Sequence, residues 1–175
     1  FDTMQDLLAR KSKLEQAGRS SGETTTSVSR LTDTMVAPFS ELVEKTLKSW
    51  AFPGSDRVHF DLQVKDLVIS GKARTSYGKG LRAITQAAFS ISLLEFCASK
   101  DKPHPGFVIL DSPLLSYKEP ESADDDLSAT NLNGNFYRYL LQLKSDRQVI
   151  VVENTDPPSD VELGDRVEHF SGMEG

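Results

Sequence analysis

Residues 107–113 read Phe-Val-Ile-Leu-Asp-Ser-Pro, and this stretch decides the fold class. The residues before Asp111 are apolar without alternation, which is typical of a strand covered on both faces, as in a parallel sheet. Asp111 stands at the carboxyl end of that strand, where open α/β sheets bind their ligands. The stretch therefore predicts a buried strand with an acidic residue at a ligand-binding edge. A plain turn cap before Pro113 is the alternative role for Asp111.

A second apolar run, residues 149–152, ends at Glu153. An amphipathic helix pattern at about 136–143 separates the two runs, and a longer helix pattern at 81–98 precedes them. The order strand, helix, apolar strand, helix, apolar strand indicates an α/β fold with a parallel core and right-handed crossovers.

The remaining pattern divides the chain into residues 1–50, a helical region, and residues 51–175, the α/β lobe. In the helical region, one amphipathic helix is expected from about Asp2 to Gln16 and a second helix from about Ser27 to Ser49, which Pro38 is expected to kink or break near Ala37. Alternation from 58 to 64 predicts a strand, and Leu67-Val68-Ile69 predicts the returning arm of a hairpin. A weak final strand is expected at residues 167–170.

Composition narrows the function classes. The formal net charge of −6 argues weakly against a broad nucleic-acid-binding surface. Five carboxylates, however, cluster between Glu119 and Asp126, so the rest of the chain is close to neutral and a DNA contact elsewhere stays possible. That acidic run predicts weak order from Lys118 to Thr130. The single cysteine, Cys97, cannot form an internal disulfide, so we expect a reducing cytoplasm. Because Cys97 lies in an apolar helix pattern, we expect it to be buried in the core. No apolar run approaches bilayer length, so no membrane partner is expected.

A polar loop precedes the long helix. It reads Thr-Ser-Tyr-Gly-Lys-Gly at residues 75–80. Small residues let backbone N–H groups approach an anion, and a helix N-terminus favours negative charge. The loop does not match the Walker A pattern, because six residues separate Gly71 from Gly78 and Gly80 replaces the hydroxyl residue. An ordinary connecting loop is the alternative.

The order of these elements from about residue 56 to 154 resembles the C-terminal lobe of an ABC-type ATPase head. The resemblance is to SMC and double-strand-break-repair ATPases, and more closely to bacterial SMC-like AAA ATPases with an Asp-Ser-Pro-Leu element. It implies an α/β C-terminal lobe of a P-loop head, with residues 1–50 as a coiled-coil end and a connecting helix. It also implies ATP and Mg²⁺ as cofactors.

The resemblance implies site residues in the loop and after the first apolar strand. Ser76, Gly78 and Lys79 would form a signature loop that touches the γ-phosphate of ATP bound to the opposite head. Tyr77 stands where the family usually has glycine, and Lys79 where it has Glu or Gln. Asp111 would be the Walker B aspartate that holds magnesium.

The hydrolytic residues depart from the family pattern. Ser112 follows the Walker B aspartate where the family has a glutamate that polarises the attacking water. Glu153, at the position of a switch histidine, is our candidate for the replacement base, with Glu119 second and a local ion pair as the alternative for Glu153. Leu114 and Ser116 would lie in the D-loop, which crosses the dimer interface.

The expected function is ATP binding and hydrolysis between two dimerised heads, coupled to DNA binding, repair or anti-phage defence. The expected partners are an N-terminal Walker A lobe of the same protein, a second head in a homodimer, and DNA. Two alternatives stay open. One is a catalytically weak ATPase-like dimerisation or interaction module, and the other is a phosphate-binding enzyme of a different α/β family.

Overall fold

A computed structural model describes residues 31–114, Leu127 and residues 130–170. The chain divides into two units, residues 1–31 and 32–175, and almost all described residues belong to the second. Within them the protein is a mixed α/β domain with three α-helices and two small sheets. The α/β prediction is confirmed at this level.

Several predictions lie outside the described residues. These are the first amphipathic helix and most of the acidic segment, together with Ser116 and Glu119. Leu127, within the predicted weakly ordered segment, is 1% exposed and belongs to the hydrophobic core. The N–H and hydroxyl groups of Thr130 both donate to the Leu127 carbonyl. The prediction of weak order is therefore wrong for Leu127 and Thr130.

Helix α1 spans Asp33–Ser49 and continues through Pro38. The expected break near Ala37 is wrong, because packing of the buried face that follows Pro38 outweighs the hydrogen bond that the proline ring removes. The inner face of α1 buries Phe39, Val43 and Leu47. These side chains recur at helical spacing and place α1 in the core.

The hairpin is confirmed, with a first strand that is shorter than predicted. Strand β1 (Val58–Asp61) pairs antiparallel with β2 (Asp66–Ile69), and a third strand, β3 (Lys72–Ala73), extends the sheet. The alternating pattern fails beyond β1 because the Asp61 carboxylate accepts the N–H groups of Gln63 at 2.7 Å and Val64 at 3.1 Å. This local turn competes with strand pairing.

Helix α2 (Lys79–Ser99) is the central helix of the domain. Among the described residues it alone is long and apolar enough to cross a membrane by length and composition, yet half of its most apolar window is buried in the protein. The expectation that no run reaches such a length is therefore wrong for α2, whose apolar character serves the core. Cys97, near its end, is half-buried and not fully buried as expected.

Strands β4 (Phe107–Asp111) and β5 (Gln148–Val152) pair in parallel, as predicted, with helix α3 (Leu132–Leu141) between them in sequence. Their sheet is covered on one face only within the described part of the chain. The outer face exposes four large side chains, Phe107 at 46%, Ile109 at 59%, Ile150 at 39% and Val152 at 51%. The prediction of burial on both faces is wrong here. We call these four residues the open face.

The C-terminal part differs from the prediction as well. A short 3-10 helix occupies Gly164–Arg166, and residues 167–170 form no strand. The expected strand residue Val167 lies in a groove of about 320 Å³ that runs along residues 156–169. The predicted final strand is therefore wrong, and β5 is the last strand among the described residues.

Candidate functional site

The parallel register brings the two candidate acids to the same edge of the β4–β5 sheet. Asp111, the last residue of β4, is the partner of Val152, the last residue of β5. Glu153 follows Val152 directly. The sequence predicted this edge, since carboxyl ends of neighbouring parallel strands meet at one side of a sheet.

Ser112 makes a sharp turn after the Asp111 carboxyl group. Its φ of 48° lies in the left-handed region, which a residue with a Cβ adopts at a cost of about 1 kcal/mol. Its N–H donates to the Val152 carbonyl at 2.8 Å, and its hydroxyl donates to Asp111 Oδ1 at 3.0 Å. These bonds hold the turn and orient the exposed carboxylate of Asp111.

Glu153 reaches back to the same turn. Its Oε1 accepts the backbone N–H of Leu114 at 2.9 Å. Sequence reasoning missed this contact, because a side-chain acceptor for a backbone donor 39 residues away leaves no local pattern. The alternative of a local ion pair for Glu153 finds no counterpart among the described residues, which supply a backbone donor instead.

Tyr137 on α3 is a second feature absent from the sequence-based site. Its side chain is buried, and this burial together with the negative charge of Glu153 raises the pKa of Tyr137 to about 12. The hydroxyl therefore keeps its proton at neutral pH. The helix pattern around Phe136 predicts that Tyr137 lies on α3. It does not predict that Tyr137 lies near Glu153.

The loop before α2 is anchored to the hairpin sheet. Arg74 begins a 3-10 turn, Arg74–Ser76, and its Nε donates to the Asp66 carboxylate at 2.7 Å. Tyr77 packs edge-on against Phe52, its hydroxyl donates to the Ile69 carbonyl at 3.3 Å, and burial raises its pKa. Tyr77 thus fixes the loop to the domain.

Gly78 is the N-cap of α2, with a φ of −60°. Any residue adopts this φ, so the backbone conformation does not explain the glycine. No side chain caps this helix end, and the first turn carries no acidic residue. Ser76 and Lys79 flank Gly78 with exposed side chains. The N–H groups of the first turn, which lack partners within the helix, face this end.

Among the described residues, no hydrogen bond joins Ser76 or Gly78 of the loop to Asp111 or Glu153 at the sheet edge. The described part of the chain also holds no group of three His, Cys, Asp or Glu side chains able to enclose a metal ion. Two grooves are lined by residues between 156 and 169, and neither lining includes a residue of the loop or of the sheet edge. The candidate site is therefore an open sheet edge.

No protein-family model matches the chain, and comparison with curated proteins finds no relative. The features of the chain that bear on its function are therefore the order of the elements, the carboxyl edge and the open face.

Proposed function

We propose that the chain is the C-terminal lobe of an SMC-like, ABC-type ATPase head that hydrolyses ATP between two dimerised heads. One observation carries the proposal. The parallel β4–β5 sheet presents Asp111 and Glu153 at its carboxyl edge while one of its faces is open. A parallel sheet with an uncovered apolar face is incomplete, since such sheets are almost always buried on both sides.

The open face supports a missing partner lobe. Ile109 and Ile150 are opposite each other in the register, and Phe107 and Val152 lie two residues away from them on the same face of their own strands. Contiguous exposed apolar surface marks an interaction site. An N-terminal lobe of the same protein that carries Walker A would cover this face and bring the α- and β-phosphates of ATP to the carboxyl edge.

Asp111 fits the role of a magnesium ligand. Its carboxylate is exposed, and within the described residues only Oδ1 is engaged, by the Ser112 hydroxyl at 3.0 Å. Mg²⁺ is usually bound by one or two carboxylates, with water and substrate phosphate completing its shell. One oriented carboxylate at an open edge therefore suffices. When bound there, magnesium would neutralise developing charge on the phosphate oxygens.

The loop before α2 fits the signature role. Ser76 is exposed, Lys79 adds positive charge, and the first-turn N–H groups of α2 favour an anion. We propose that these groups contact the γ-phosphate held by the opposite head. The loop and the carboxyl edge of one chain would then serve two different nucleotides.

Glu153 is the proposed base. Its Oε1 is held by Leu114, while Oε2 makes no hydrogen bond among the described residues and can accept one from a water molecule. Head closure would move attached coiled coils around DNA, in repair or in anti-phage defence in the cytoplasm. The rival is a non-enzymatic dimerisation module, favoured by the serine that stands directly after Asp111.

The open face gives the direct experiment. Ile109→Asp places a charge in the centre of this face, and Val64→Asp places one on the hairpin turn, where Val64 is equally exposed at 63%. Association with the Walker A lobe, measured by titration calorimetry, should weaken at least about 100-fold for Ile109→Asp, because the charge is buried without a partner. It should change less than about 3-fold for Val64→Asp. Equal effects, or no association of the wild type, would contradict the proposal.

A further inference from the structure

The turn after β4 and the end of β5 are joined by two hydrogen bonds, from Ser112 N–H to the Val152 carbonyl at 2.8 Å and from Leu114 N–H to Glu153 Oε1 at 2.9 Å. We propose that the backbone N–H of Leu114 is the positioning group for Glu153, and that it ties the proposed base to the turn after β4. This inference rests on the proposed function.

The donor is fixed before any ligand arrives. Leu114 is 6% exposed and belongs to the core, Pro113 beside it is buried, and Ser112 is held in its left-handed conformation by β5. A backbone N–H at such a site cannot turn away without unpacking Leu114. The bond is also charge-assisted when Glu153 is ionised, which makes it stronger than a bond between neutral groups.

Because Leu114 binds only one oxygen of the Glu153 carboxylate, the two oxygens have different roles. Oε1 holds the orientation, and Oε2 is left to accept a hydrogen bond from water. A base oriented by a third group is the general arrangement of activated nucleophiles. Asp111 sits across the register at Val152, so the positioned oxygen and the proposed metal ligand share one edge.

Three variants separate positioning from proton transfer. Glu153→Gln keeps an acceptor oxygen for Leu114 but removes the base. Glu153→Asp keeps the carboxylate on a side chain one carbon shorter, which cannot reach the amide without backbone movement. Glu162→Asp, on the exposed C-terminal segment, is the matched control for the shorter side chain. Two measurements apply: amide hydrogen exchange at Leu114 in the chain, and steady-state phosphate release by the complete head.

We expect exchange at Leu114 to rise about 10-fold in Glu153→Asp and to stay within about 3-fold in Glu153→Gln. Turnover should fall about 10-fold in Glu153→Asp and about 100-fold or more in Glu153→Gln. Glu162→Asp should match the wild type in both. Wild-type exchange or wild-type turnover in Glu153→Asp overturns the inference, as does wild-type turnover in Glu153→Gln. A wild-type head without turnover contradicts the ATPase proposal instead, and the exchange data then still decide whether the bond exists.

Discussion

The two sheets of this domain are completed in different ways. The β1–β3 sheet buries Leu67 and Ile69 fully against the helices, and α1 is tied to it by polar contacts. Ser40 Oγ accepts the Phe60 N–H at 2.9 Å, and Glu44 Oε2 accepts the Val58 N–H at 3.0 Å. The inner face of the β4–β5 sheet packs against the core, with Leu110 buried and its three valines half-buried, and its other face is the open face.

The two sheets therefore have different roles: the hairpin sheet stabilises the domain, and the parallel sheet carries the candidate site. The hairpin sheet with α1 and α2 forms a finished core, whereas the parallel sheet keeps four large apolar side chains in solvent and holds the candidate acids at its edge. A surface that is incomplete in one chain is suited to a site assembled from several parts. The following predictions test whether the two sheets differ in this way.

The largest effect is expected at the edge of the parallel sheet. Asp111→Asn should lower phosphate release by the complete head about 100-fold or more, because the proposed metal loses a charged ligand. Asp56→Asn, an exposed aspartate beside the hairpin sheet, is the control and should leave turnover within about 3-fold of the wild type. Equal turnover in both variants would remove Asp111 from the mechanism.

Gly78→Val should abolish ATP-dependent dimerisation while each head still binds ATP, since a branched side chain at the α2 N-cap keeps the opposing γ-phosphate away. Thr75→Val, an exposed neighbour replaced by a residue of the same shape, is the control. Light scattering with and without ATP measures the dimer. Dimers that persist in Gly78→Val would refute the signature role of the loop. ATP-driven dimers that Gly78→Val abolishes, in a head without turnover, would favour the non-enzymatic rival.

Stability should follow burial. Leu47→Ala removes a fully buried side chain of α1 and should lower the free energy of unfolding by about 2–5 kcal/mol. Ile109→Ala, on the open face, should lower it by less than about 1 kcal/mol in this chain. Urea denaturation of both variants measures the difference. Similar losses would mean that the parallel sheet is covered on both faces in solution.

The smallest effect concerns pH and the hairpin region. The hydrogen bond from Lys48, with that from the Val58 N–H, lowers the pKa of Glu44 from its ordinary value of 4.5. Since the folded pKa lies below the unfolded one, this stabilisation is present above about pH 4.5 and is lost as the pH falls through the folded value. Glu44→Gln should therefore flatten the acid limb of unfolding free energy against pH. An unchanged limb would contradict the assignment.

Sequence patterns predicted the strands but did not predict the features that depend on contacts between residues far apart in the chain. Val149 to Val152 indicated a parallel strand, and the register then placed Asp111 and Glu153 together. Apolar runs do not report which faces are covered, so the open face was not predicted. The Leu114–Glu153 bond joins residues far apart in sequence. The anchoring role of Tyr77 likewise depends on Phe52 and Ile69, which contact it only in the folded domain.

The central claim is that nucleotide binding needs a second lobe on the open face. Equilibrium binding of a labelled ATP analogue with magnesium, to this chain alone and to the chain mixed with the Walker A lobe, tests it most directly. We expect no micromolar binding by the chain alone, because its loop cannot cradle the α- and β-phosphates, and micromolar binding by the mixture. Micromolar affinity in the chain alone, or none in the mixture, would contradict the account.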